Sequence, residues 1–410
     1  MISVEEALER ILSRIPRLGD ERVGVVQGLH RVLSERVVSP RDLPPWPNSS
    51  MDGYALRAAD TQSAAADRPV SLQVAGHVAA GHMAERALMP GEAFRIFTGA
   101  PLPDGADAVI PQEDVTVDGD VVRIPRSVPM GDSVRPRGED MRTGDVVLEP
   151  GRVLGAADVA VLATLGHHQV RVVRQPRVGI LSTGDEIVDL GGAIAPGQIA
   201  NSNTYSLMAQ VLEAGAIPVN LGVARDRLDD IRERLSWGLG CDVLISSAGV
   251  SVGEHDFVKE ALSGLGAEQH LWLVNMRPGK PITFATIPST RPGQGRVPAF
   301  GLPGNPVSAM VTFELFVRPA IRHLAGHARL ARPVVRARAL GDIPNPGRRR
   351  GYLRVTLSRD DGGGTAASLT GDQGSGILRS MVAADGLAVV PGDTTIASGQ
   401  PVEVIVLRQP

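Results

Sequence analysis

The sequence predicts a multidomain α/β plus β protein: a three-layer α/β domain with a largely parallel sheet, a discontinuous helical domain, an inserted β domain and a C-terminal β domain. Three observations carry this expectation. Between 177 and 326 short apolar runs alternate with helical patterns, as buried strands and their crossover helices do. At 72–124 and again after 326, strand-length runs are separated by Gly and Pro turns. Helical periodicity at the N-terminus returns at 154–165, so the first β segment reads as an insertion in a helical frame.

The elements follow in order. Ser3 with Glu6 makes a capping box, and Val4, Ala7, Leu8, Ile11, Leu12 and Ile15 recur behind it at helical spacing. A second amphipathic stretch at 28–38 leads to the cluster Pro44-Pro45-Trp46-Pro47, where no helix continues and a domain border is expected. Asn48 to Ala55 is a loop leading into the small β domain, and Arg135, Arg137 and Arg142 flank Gly138-Glu139-Asp140. The α/β domain should hold strands near 178–181, 216–223, 242–246, 282–287 and 297–301, with helices at 203–212, 227–235 and 305–324. Strands near 334–340, 351–357, 366–369, 386–390 and 402–407 complete the C-terminal domain. The expected boundaries are 1–41 with 139–174, 42–138, 175–327 and 328–410.

At 410 residues the chain should fold as roughly two to four domains. A formal net charge of -3 argues against nucleic acid as a partner. The single cysteine, Cys241, excludes an intrachain disulfide and reads as a small core residue. The first residues lack a signal-peptide pattern and no apolar run approaches a membrane span, so the cytoplasm is the expected location and no membrane contact is expected.

Ligands of such sheets gather beyond the carboxyl ends of the strands. Those ends carry Asp185 and Glu186, then Asp226, then the loop 246–256, then Pro303-Gly304-Asn305. Small residues at Ser247, Ala248 and Gly249 admit a ligand close to the backbone, and the helix start that follows suits an oxyanion. Asp256 beside an anion site needs an intervening cation such as Mg²⁺, unless it only favours the first helical turn. Asp226 with Asp229 equally reads as a helix cap. Arg277-Pro278-Gly279-Lys280-Pro281 points two cations at an anion, or is a solvated connection; the spacing is not that of a nucleoside-triphosphate loop. At 301–308, Asn305 can cap a helix that Pro306 begins, leaving N–H groups beside Ser308 for an oxyanion. No Ser-His-Asp or Cys-His arrangement is present, and the chemistry indicated is metal-assisted cleavage or transfer at a phosphate.

Together these residues resemble the MoeA family of molybdenum-insertion enzymes, which includes the E domain of gephyrin. The segments that match are 48–55, 97–103, 137–140, 181–186, 246–256, 277–281, 301–308 and 373–378, in family order along nearly the whole chain. The resemblance implies an elongated four-domain homodimer whose molybdopterin-binding cleft is shared between subunits. It implies that adenylylated molybdopterin and molybdate are the substrates, that AMP is released in a Mg²⁺-dependent step, and that contact with the molybdopterin adenylyltransferase is possible. By the same resemblance Asp226, Asp256, Glu186, Asp140, Asp52 and Thr98 are catalytic, the first three also holding the metal. Ser247, Gly249, Gly253, Arg277, Lys280, Pro303, Pro306, Ser308, Arg135, Arg350 and Ser375 bind substrate. Three departures from the family pattern stand out: Pro47 where an Asp is usual, Leu273 where a basic residue is common, and Arg277 in place of a Lys. A scaffold role and molybdopterin adenylylation are the rival readings.

Overall fold

A computed structural model describes residues 1–247, 257–293, 295–360 and 362–408, the side chains at 271 and 272 excepted. The chain forms two compact units. One comprises 1–34, 151–159 and 169–410, and the other 35–150 with 160–168.

In the first unit the N-terminal helix α1 (Val4–Leu12) forms as the capping box requires: Ser3 Oγ accepts from the Glu6 N–H at 3.0 Å. Its apolar stripe, Val4, Ala7 and Ile11, joins one core with Val178, Ile180, Val243 and Ile245 of the central sheet. A fully buried isoleucine there contributes about 1.5–3 kcal/mol. The second helix expected at 28–38 is absent. A 3₁₀ turn (Val26–Gly28) is followed by isolated bridges Val32↔Val153 and Leu33↔Val172, so its apolar positions serve extended pairing. The strand Asp20–Gly24 pairs antiparallel with Gln169–Val173, and it is through strands that the N-terminal segment meets the chain after the insertion. Helix α2 (Ala156–Thr164) falls where periodicity placed it.

The central sheet has six strands: β1 (Arg177–Thr183), β2 (Ile217–Ala224), β3 (Val243–Ser247), β4 (Glu268–Leu273), β5 (Pro281–Pro288) and β6 (Arg296–Leu302), in the order β2-β1-β3-β6-β5-β4. β2, β1, β3 and β6 run parallel; β5 and β4 are antiparallel additions. Helices α3 (Ser202–Glu213), α4 (Leu228–Trp237) and α5 (Phe257–Gly264) follow β1, β2 and β3. After β6 come α6 (Pro306–Thr312), a π-helical turn Phe313–Val317, and α7 (Arg318–Leu324). The chain leaves β1 for β2 on one side and returns to β3 on the other, so β1/β3 is the point at which strand order reverses and a crevice opens.

The C-terminal part is a β structure built on Arg350–Arg359, with Thr365–Leu369, Val334–Ala339, Pro401–Val406 and Gly386–Val390. A two-residue strand, Met276–Arg277, pairs parallel with its first strand, Met276 against Arg350 and Arg277 against Gly351.

The second unit contains a six-stranded sheet with two apolar clusters around Leu56, Ile110 and Ile124, and around Ala55, Phe94 and Ile96. This compact unit runs from Glu35 to Pro150 and takes in 160–168. Cys241 is buried at 4% exposure, and burial pushes its thiol above the usual range.

Candidate functional site

A cleft of about 520 Å³ opens at the carboxyl ends of the parallel strands. Ser182 and Thr183 of β1, Ser247 of β3 and the loop residues Gly304, Asn305 and Pro306 after β6 form its floor and one wall, and Glu186 with 199–203 forms the other. These are the three strands whose ends the strand-order reversal exposes, so the fold itself sets the position of the cleft.

The wall begins at a tight turn. Gly184 has φ +146°, and a Cβ there would stand 2.6 Å from Glu186 Oε2, because the Glu186 side chain folds back over the glycine. Asn201 then caps α3, accepting from the Thr204 N–H at 3.2 Å, while Ser182 Oγ lies 2.7 Å from Thr204 Oγ1 and 3.2 Å from Asn201 Oδ1. Two residues on, Asn203 Nδ2 donates to Ser247 Oγ and to the Gly304 carbonyl, both at 2.7 Å. One amide thus fixes the separation of the β3 end from the β6 loop. Asp189 accepts from Tyr205 Oη at 2.9 Å, and that hydroxyl is the main cause of its lowered pKa.

Acidic groups crowd one margin. The Asp226 N–H donates to Asp185 Oδ1 at 3.3 Å. The Asp226 carboxyl is raised above its ordinary range, first by the protein packed around it although the residue is exposed, then by the charges of Asp185 and Glu186. Among the described residues no arginine or lysine bridges Glu186 or Asp226. The cap alternative is corrected here: Arg227 occupies the cap position of α4 without a side-chain cap bond, its guanidinium pairs with Asp229, and Asp230 receives the Arg225 N–H. Asn305 makes no side-chain cap bond either. The N–H of Val307, expected free for an oxyanion, donates instead to the Ser375 carbonyl at 3.1 Å, which ties the C-terminal domain to the start of α6. Ser308 is buried at 4% exposure inside that helix's packed face.

Three cationic positions gather on the C-terminal side. The 276–277/350–351 pairing sets Arg277 beside Arg350, and Lys280 lies just beyond the Gly279 turn. Arg277 and Lys280 are exposed; Arg350 pairs with Glu5 of α1. Gly279 has φ +95°, and a Cβ there would stand 2.4 Å from Thr312 Oγ1.

Comparison with known proteins bears on this arrangement. Residues 2–166 match the MoeA N-terminal region (domain I and II), 179–323 a probable molybdopterin binding domain, and 336–407 the MoeA C-terminal region (domain IV). A molybdopterin molybdenumtransferase of Nostoc is 40% identical over all of this chain and 94% of its own length. The Bacillus subtilis protein of that name is 34% identical over the same shares. The chain belongs to the MoeA family. A solved molybdopterin biosynthesis MoeA protein from Pyrococcus horikoshii, at 30% identity and TM-score 0.81, covers 99% of this chain and all of its own.

For a MoeA-family chain the remaining expected residues divide by unit. Asp52, Thr98, Arg135 and Asp140 lie in the second unit. There Asp52 Oδ1 accepts from the Thr98 N–H and Oγ1 at 2.7 and 2.8 Å, so these two hold one another, and the same bonds lower the Asp52 pKa. Arg135 pairs through its backbone with Asn48, and the Asp140 N–H donates to the Leu43 carbonyl. Gly249, Gly253 and Asp256 lie outside the described residues. Pro303 is buried where β6 ends. Asn203 was missed by sequence reasoning. The Asn201-Ser202-Asn203 run at a helix start was the available signal for it.

Proposed function

We propose that the cleft at the β1/β3 reversal binds adenylylated molybdopterin, and that the chain inserts molybdenum from molybdate with release of AMP. As a member of its family the chain is a molybdopterin molybdenumtransferase, a transferase of molybdenum-cofactor biosynthesis. The observation that carries the finer reading is the set of carboxylates at Asp185, Glu186 and Asp226, close enough that, after burial, the first two raise the Asp226 pKa, with no arginine or lysine among the described residues bridging Glu186 or Asp226. Like charges so placed, beside a cleft meant for a phosphate, favour an intervening divalent ion.

Mg²⁺ fits this donor set. Among the described residues no three His, Cys, Asp or Glu form a closed ligand group, but Mg²⁺ commonly takes one or two carboxylates and keeps its waters. Glu186 and Asp226 are the described ligands in this reading, with Asp256 the third. When bound, the ion would neutralise phosphate charge and polarise the link to be cleaved. The chain's own groups do the rest. Arg277 and Lys280 attract the anionic substrate, Ser375 contacts the oxyanionic metal donor, and the Asn203 amide keeps Ser247 and Gly304 at the spacing the substrate must enter. The pKa of Asp226 is raised by burial and then by Asp185 and Glu186, and a bound cation would lower it.

The same reading divides the chain at 1–41 with 139–174, 42–138, 175–327 and 328–410. It makes the protein a cytoplasmic homodimer in which Asp52, Thr98, Arg135 and Asp140 serve a cleft completed by the partner, and which meets the molybdopterin adenylyltransferase. Among the described residues no helix is long and apolar enough to cross a membrane. The test is AMP release by purified protein given adenylylated molybdopterin, Mg²⁺ and molybdate. Release that depends on molybdate supports the reading. Binding without turnover favours a scaffold, and ATP consumption in place of AMP release favours adenylylation.

A further inference from the structure

Arg354 is an arginine with no exposed surface, in the middle of the strand Arg350–Arg359. Among the described residues no carboxylate hydrogen-bonds it, and the nearby charge of Asp372 is the one that acts in its favour. Its Nη2 donates to the carbonyls of Asp372 and Gly374 at 3.2 and 2.9 Å, its Nε to Ser380 Oγ at 3.0 Å, and its Nη1 to none of the described residues. The backbone of the same residue is gripped by the same loop. Its N–H donates to Gln373 Oε1 at 2.8 Å, and its carbonyl accepts from Gln373 Nε2 at 3.2 Å. Loop 372–376 is therefore wrapped around one buried cation.

A buried charge is costly even with the Asp372 carboxylate near it, and an apolar side chain would avoid that cost. The loop's other end supplies a reason for the arginine. The Ser375 carbonyl takes the Val307 N–H at the cleft rim, and the half-buried Ser375 hydroxyl has no partner among the described residues. Burial lowers the Arg354 pKa, the nearby Asp372 carboxylate raises it and Arg277 lowers it, so Arg277 brings a second positive charge to this loop that Asp372 offsets in part. We propose that Arg354 is a positioning residue for the oxyanionic metal donor: it holds loop 372–376 so that the Ser375 hydroxyl faces the rim, and its buried charge favours a dianion there over the pterin. This rests on the transferase reading above.

The test uses the whole chain and two measurements, molybdate-dependent AMP release and equilibrium dialysis of molybdate alone. Arg354→Lys keeps the charge but loses the fork of donors. It should raise the KM for molybdate about tenfold, as expected for losing a charged hydrogen bond, with kcat and the pterin KM little changed. Ser375→Ala added to Arg354→Lys should raise it no further, because the two act as one unit. Arg354→Met, which removes the charge and can keep the fold, should weaken molybdate dialysis binding by at least as much. An unchanged molybdate KM in a folded Arg354→Lys protein, a parallel rise in both KM values, a multiplicative double variant, or molybdate binding equal in Arg354→Met and wild type would each overturn the proposal. So would wild-type protein that binds no molybdate. Wild type that binds molybdate but releases no AMP would sink the transferase reading instead, and the dialysis comparison would still decide the role of Arg354.

Discussion

Asp226 directs its main-chain N–H at Asp185 Oδ1, 3.3 Å away, while its own carboxylate accepts from no described residue. A carboxyl whose pKa is raised in the folded state binds its proton more tightly there than in the unfolded chain. It therefore costs stability above its folded pKa, and that cost vanishes below the unfolded value of 3.8. Asp226→Asn should melt at the same temperature as wild type or slightly higher at pH 7, with the difference closing by pH 4. AMP release should fall at least about a hundredfold in the same variant. A clear loss of melting temperature at pH 7 would instead return Asp226 to a structural role.

If the acidic margin holds a cation, metal and fold are linked. Mg²⁺ binding the folded chain alone should raise the melting temperature in proportion to the logarithm of its excess over Kd. The rise should be absent in Asp226→Asn and reduced in Glu186→Gln. Calorimetric scans with and without a chelator measure it, and equal Mg²⁺ shifts in all three proteins would place the ion elsewhere.

The α/β domain was legible because its parallel strands are continuous apolar runs, such as 243–245 and 297–300, each with a helical pattern or a turn after it. The edge strand β4 was not. Glu268, Gln269 and His270 alternate too little with apolar residues to announce a strand, and antiparallel pairing with β5 makes it one. The stretch 28–38 misled in the opposite sense, since Val32, Leu33 and Val37 fall at helical spacing yet serve isolated bridges and a short strand. Of the site, the acidic margin and the cationic turn could be read locally. The Asn203 clamp could not, because it joins segments near 203, 247 and 304 that only the strand-order reversal brings together. Arg354 was hidden for another reason: an arginine inside a strand pattern reads as solvent-facing, and only tertiary packing buries it.

In the second unit Asp42 should govern acid stability. Its carboxylate accepts from the Thr143 N–H and Oγ1, each at 2.8 Å, and from Arg137 Nε at 2.5 Å. The Thr143 bonds first, and then Arg137, hold its pKa at about 2 against a usual 3.8. A depressed carboxyl pKa contributes stability that is complete above the unfolded value and lost as pH falls through the folded one. Asp42→Asn should therefore melt below wild type at pH 7, and the gap should close between about pH 4 and pH 2. A gap that is constant with pH would show that hydrogen-bond shape, not charge, is what Asp42 supplies.

Gly279 separates Arg277 from Lys280 at a backbone angle that side chains rarely adopt, φ +95°, and its missing Cβ leaves room for Thr312 Oγ1 and Met276 Cε at 2.4 and 3.1 Å. An alanine there meets both obstacles at once. The left-handed conformation costs about 1–3 kcal/mol, and Thr312, fully buried on α6, cannot swing into solvent to make room. The turn must then open, which displaces the two cations relative to the α6 start. Gly279→Ala should lower the urea midpoint by an amount matching that range and raise the KM for adenylylated molybdopterin more than it lowers kcat, because ground-state anion binding is what the turn supports. Both quantities come from one preparation. A lowered midpoint with an unchanged KM would make the turn a folding feature only, and leave Arg277 and Lys280 without the role in substrate binding assigned to them.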